Sequence, residues 1–176
     1  MGDKVNVLVG APSLIEISRD DEATWKSVGY TEGGVQFSQS VETYEVEVDQ
    51  ELDPIDEIVI KRRIKITTQL VESILDNIAL ALNYDPSEVI TEDGTKKTKT
   101  LDIKSKLDIQ KFAVRFTGKG PSGKHRRWTI KKVGQIGEVS MGLQKGDKTV
   151  IPLELKVYND GSGSLGSVVD SEDAFA

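Results

Sequence analysis

The chain has 176 residues, no Cys, a single His (His125) and a formal charge of −6. That length fits one domain with a core that needs no disulfide or metal staple, and the lack of Cys excludes thiol catalysis, disulfide frameworks and Cys-ligated metals. The charge is uneven: Glu42 to Glu57 holds eight acids and no base, whereas Lys96 to Lys132 holds thirteen bases and two acids, so complementary patches are expected at least as much as a nucleic-acid surface.

The opening "MGDKVNVLVGAPSLIEISRDD" has a short apolar run with no basic leader ahead of it and is not expected to be a signal peptide. No stretch approaches the ~20 apolar residues that would cross a bilayer. Asn6 stands where a myristoylation start needs Ser or Thr. A soluble, intracellular protein is the expectation.

From Val35 to Val48 apolar residues alternate, but the parity changes: Val35, Phe37 and Val41 keep one, Tyr44, Val46 and Val48 the other. One extra residue near Glu42 to Thr43, a β-bulge, accounts for this. A second strand follows in Ile58, Ile60, Ile64, Ile66 and Thr68. Paired antiparallel with Glu45 facing Lys65, Glu47 facing Arg63 and Asp49 facing Lys61, the two strands match charge with charge. Tyr44 then faces Ile66 and Val46 faces Ile64, and each such pair contributes roughly 0.2–1 kcal/mol.

Between these strands "QELDPIDE" carries more acids than a tight turn needs, and Pro54 biases Asp53 toward an extended backbone. It lacks the Gly and the regular carboxylate spacing of a calcium loop. The tip Asp49, Gln50, Glu51, Leu52, Asp53, Pro54, Ile55, Asp56 and Glu57 therefore reads as an arm used on another protein.

The spacing of Val71, Ile74, Leu75, Ile78, Ala79 and Leu82 predicts a helix over about 70–82. "DPSE" offers Asp85 as N-cap, Pro86 at the first helical position and Glu88 two further on, the signals of another short helical turn. "TEDGTKKTKT" reads as an exposed loop or ribbon. Phe112, Val114 and Phe116 alternate as a strand, "TGKGPSGK" turns, and "RRWTI" starts the next strand. "VSMGL" and "VIPLELKVY" flank a turn centred on Gly146 and Asp147. Residues 1–160 are thus expected to form one domain, with 161–176 a flexible Gly/Ser-rich acidic tail.

Gly118, Gly123 and Lys124 match the spacing of a phosphate-binding loop, but His125 replaces the Ser or Thr that holds magnesium and the following residues are β-prone. A hairpin loop is expected there, with His125 a solvated turn residue. Trp128 alone interrupts the basic run as an aromatic, fewer than a stacking platform for nucleic acid needs. Lys119, Lys124, Arg126 and Arg127 instead read as a basic surface that meets an acidic neighbour.

Three stretches, "WKSVGYTEGGVQFS", "EVDQELDPIDEIVIKRRIKITTQLVESILDNIALAL" and "GDKTVIPLELKVYND", follow one another in an order that resembles the major tail tube proteins of long-tailed bacteriophages. The resemblance implies a mainly β fold, a β-sandwich or half-barrel with one packed α-helix and a long hairpin arm at about 49–60. It implies a structural virion protein, not an enzyme, without cofactor or metal. Its subunits would form hexameric rings stacked into a hollow conduit for DNA ejection. Implied partners are copies of itself and the tail tip, tape-measure and terminator proteins, with DNA only transiently in the lumen and no membrane. Assembly would take place in the bacterial host cytoplasm, and the charges of Glu45, Glu47, Lys61, Arg63 and Lys65 would flank the arm. The alternatives are a nucleotide- or nucleic-acid-binding domain using residues 118–132, or a terminator or joining protein that stops at a single ring.

Overall fold

The computed structural model describes residues 2–10, 12–105, 108–143 and 145–175. The strands are β1 (Leu14–Ser18), β2 (Lys26–Ser27), β3 (Thr31–Val46), β4 (Asp56–Leu70), β5 (Ile90–Asp93), β6 (Thr98–Leu101), β7 (Phe112–Lys119), β8 (His125–Gln135), β9 (Ile151–Val157) and β10 (Gly166–Ser171). The helices are α1 (Leu75–Ala81) and α2 (Pro86–Val89). Eight strands form one antiparallel sheet in the order β2-β1-β7-β8-β9-β4-β3, with β10 also paired to β8, while β5 and β6 make a separate ribbon. The protein is mainly β around a large antiparallel sheet.

The core lies on one face of this sheet. Ile15 and Ile17 of β1, Phe112, Val114 and Phe116 of β7, Ile130 and Val133 of β8, Ile151, Leu153 and Leu155 of β9, and Ile66 and Leu70 of β4 join Leu80 and Ala81 of α1 in one cluster. The period-two alternation of β9 and of the inner half of β4 supplies these side chains. Helix α1 closes the cluster, and the buried Asn77 fixes it by donating Nδ2 to the carbonyl oxygens of Val28 and Glu72, both at 2.9 Å.

The long helix expected at about 70–82 is shorter, because its first residues belong to other structure. Leu70 is fully buried as the last residue of β4, opposite Ile151 and Thr31. The Val71 N–H then donates to the Tyr30 carbonyl at 2.9 Å, and Glu72 turns back so that its Oε1 accepts from the Tyr30 N–H, also at 2.9 Å. The Glu72 carboxylate fills the space a Cβ on Gly29 would occupy, and Gly29 itself sits at φ +81. Sheet pairing and this clasp outweigh the apolar periodicity of Val71 and Ile74.

Asp85 does cap α2, its Oδ1 accepting from the Ser87 N–H at 2.9 Å. "VSMGL" is not a strand; Val139 and Met141 pack irregularly against the core.

The residues expected as a mobile tail contribute β10. It lies on the same edge of β8 as β9 and runs in the same direction: Val157 pairs with Val133, Gly166 with Ile130 and Ser171 with His125. Residues 158–165 loop out between them, tied at both ends, since the Tyr158 N–H donates to the Lys132 carbonyl and the Lys131 N–H to the Leu165 carbonyl.

Candidate assembly surfaces

The hairpin of β3 and β4 leaves the body of the sheet. Strand β9 pairs with β4 only from Lys65 to Leu70, so the outer part, Gln39–Val46 with Asp56–Ile64, is a two-stranded ribbon. Two strands alone are marginal in water. Along this ribbon Val41, Tyr44, Ile58, Val59 and Ile60 are all exposed, and Leu52 at the tip is completely so.

The strands do not pair in the register expected from charge matching. Lys65 lies opposite Ser38 rather than Glu45, Arg63 opposite Ser40 rather than Glu47, and Lys61 opposite Glu42 rather than Asp49. The cause is burial at the root. Phe37 opposes Ile66 and Thr31 opposes Leu70, while β9 grips the same two β4 residues from the other side. Burying Ile66 and Leu70 contributes about 1.5–3 kcal/mol each, more than any cross-strand charge pair of about 0.2–1 kcal/mol. The cations Lys61 and Arg63 then both find Glu42, at 3.7 and 2.5 Å. Lys65 meets Glu154 of β9 at 2.5 Å.

The irregularity expected near Glu42 and Thr43 is present there, but the residue without a partner is on the opposite strand. Glu42 pairs with Lys61 and Thr43 with Val59, which leaves Ile60 as the extra residue. The apolar side of the ribbon consequently changes face. Nearer the body, Phe37 and Val41 share the face of Ile64 and Ile66; beyond the irregularity, Tyr44 opposes Ile58 on the face that carries Glu42, Lys61 and Arg63. Each face offers apolar area to solvent.

The tip has no cation among its own residues. Glu45 lies opposite Glu57, a like-charge juxtaposition that disfavours the pairing, and the ladder ends with Val46 opposite Asp56. Asp49, Gln50, Glu51, Leu52, Asp53, Pro54 and Ile55 form an exposed loop, closed by the Ile55 N–H donating to the Val46 carbonyl at 2.9 Å, and Asp56 and Glu57 begin β4. Glu47 is exposed in the same loop.

The basic residues lie where β7 turns into β8. The loop between them is Gly120–Lys124, with a 3-10 turn at Pro121–Gly123; Gly118 and Lys119 end β7, and His125, expected as a solvated turn residue, is half-buried as the first residue of β8. A strand rather than a helix follows the loop, so the geometry of a nucleotide phosphate cradle is not formed there. Lys119 opposes His125 at the end of the ladder. The other three basic residues are engaged by this chain's own C-terminal segment. Arg126 grips Asp170 bidentately, at 2.6 and 2.8 Å. Lys124 is 3.6 Å from Glu172, and the Arg127 guanidinium lies 4.3 Å from the centroid of the Phe175 ring. A strand signal was present in Val168 and Val169, with carboxylates two residues apart at Asp170 and Glu172.

Arg127 continues into a polar layer on the face of the sheet away from the core. Its Nε donates to Thr117 Oγ1 at 3.2 Å. Burial, followed by the charge of Arg115, pulls the Arg127 pKa down. Arg115 holds Glu16 through Nε and Nη2, at 2.5 and 3.1 Å, and lies 4.4 Å from the centroid of Trp25. Among the described residues, no group of three or more His, Asp or Glu side chains is arranged to hold a metal ion, and no helix is long and apolar enough to cross a membrane.

Comparison of the chain with protein-family models and with curated proteins finds no match.

Proposed function

We propose that the protein is a structural subunit that polymerises, a tail tube protein of a long-tailed bacteriophage whose rings stack into a conduit for DNA. The observation that carries this reading is the outer ribbon of β3 and β4, with apolar residues exposed on both faces and an acidic tip, at the end of a sheet whose last strand, β3, pairs with no further strand among the described residues. A long free edge invites pairing with another chain. An apolar face on each side calls for two covers, one on either side of the ribbon. A subunit built into a closed ring and stacked on the next ring has such covers, because one heterologous contact closes the ring and a second, which does not close, extends rings into a filament.

Negative-stain electron microscopy and sedimentation of concentrated protein test the proposal. Uniform tubes or rings are the expected result. A protein that stays monomeric at high concentration, with or without a tail-tip nucleus, overturns it.

A further inference from the structure

Two acidic segments of this chain share a pattern. In the C-terminal segment Asp170 and Glu172 stand two residues apart, with the apolar Phe175 close behind; in the arm Asp49 and Glu51 stand two apart, followed by the fully exposed Leu52. The first segment is seated on Arg126, Lys124 and Arg127. The cations Lys124 and Arg126 are themselves two residues apart, just before β8 and within its first residues, so an arm tip extended along this edge would present its carboxylates at the same interval.

The seat is shallow. Val168 and Val169 remain 47% exposed each, so β10 is held by ladder hydrogen bonds and surface charge more than by burial. The loop 158–165, with positive-φ Gly161 and Gly163, tethers it to β9. Strand β10 can therefore leave while β9 stays in the core sheet.

We infer that the C-terminal strand occupies, in the free subunit, a site built for the acidic arm of a second copy. Asp170, Glu172 and Phe175 cover Arg126, Lys124 and Arg127 until copies meet, and the arm tip then replaces them. This rests on the self-assembly reading and adds a restraint to it, since a subunit whose acceptor is covered polymerises only where a neighbour's arm is held close enough to compete.

The test measures binding of a fluorescein-labelled peptide spanning Glu45 to Glu57, by anisotropy at low salt, to three proteins. These are the full chain, a chain ending at Leu165, and the full-length D170N/E172Q variant, which keeps β10 but removes its carboxylates. Both altered proteins are expected to bind the peptide about tenfold more tightly than the full chain, with the gain shrinking as salt rises. Equal affinity for all three, or no binding by any, overturns the inference. Should the shortened chain fail to fold, D170N/E172Q decides alone. Electron microscopy of the same samples separates the two ideas. Tubes with no difference in peptide binding leave the assembly reading standing and remove this inference. Tighter peptide binding without tubes does the reverse.

Discussion

Arg126 and Asp170 face each other across β8 and β10, with Nε 2.6 Å from Oδ1 and Nη2 2.8 Å from Oδ2, and each holds the other in its charged form. This hydrogen-bonded pairing raises the Arg126 pKa and lowers that of Asp170 below its ordinary 3.8.

A pH dependence follows from Asp170. A carboxylate with a depressed folded pKa adds stability above the unfolded value and loses it as pH falls through the folded one. Strand β10 should stay seated above about pH 4 and loosen as the pH drops below the ordinary value of 3.8. Amide exchange of residues 166–171 at pH 6 and pH 3, corrected for intrinsic rates, should show protection lost there before it is lost in β9. Equal protection at both pH values argues against the pairing.

The Glu16–Arg115 pair is mostly enclosed, with side-chain exposures of 11% and 16%. Removing Arg115 takes from Glu16 its bidentate hydrogen-bonded partner and leaves only the more distant charge of Arg127. Arg115→Met should destabilise the fold by about 3 kcal/mol in urea titration, and adding Glu16→Leu should restore part of that loss. A double variant no more stable than Arg115→Met contradicts the account.

Tyr44 and Ile58 pair across the outer ribbon, 59% and 47% exposed. Changing them to Ser and Thr removes one cross-strand pair, so the monomer should lose less than about 1 kcal/mol. Self-association, measured by sedimentation, should fall sharply. Intact tubes from this variant would place the contact elsewhere.

Reversing charge at Glu47, Asp49 and Asp56 should leave the far-UV circular dichroism unchanged, because all three are exposed. It should also slow polymerisation. Wild-type assembly rates in the triple variant would sink the idea that the acidic tip drives stacking.

The sequence exposed the features that depend on neighbours along the chain. Alternation in Phe112, Val114 and Phe116 gave β7, the Asp85-Pro86 step gave the capped α2, and the parity change at Glu42 and Thr43 marked the irregularity in the hairpin. Features set by distant partners were not legible. The hairpin register depends on Leu155 and Ile151 gripping Ile66 and Leu70 from β9, which no pattern within residues 44–66 contains. Helix α1 starts late because Tyr30 claims Val71 and Glu72. A Gly/Ser-rich composition pointed to a flexible tail over 161–176, yet β8 supplies an edge that turns "GSVVDS" into a strand. The candidate site shows the same division: the acidic tip was readable, but the occupant of Arg126 was not.

The alignment of β9 and β10 on one edge of β8 bears on how such a chain can vary. The two strands follow a single line, and residues 158–165 are spliced into it without disturbing the hydrogen bonds on either side. Length at that splice is decoupled from the register of the sheet, and its residues between 159 and 164 are largely solvent-facing. A peptide epitope or a small tag inserted between Gly161 and Ser162 would be displayed beside the C-terminal strand with the core untouched. The same position could accept a longer natural insertion, so decoration on this face can change while the sheet behind it keeps its pairing.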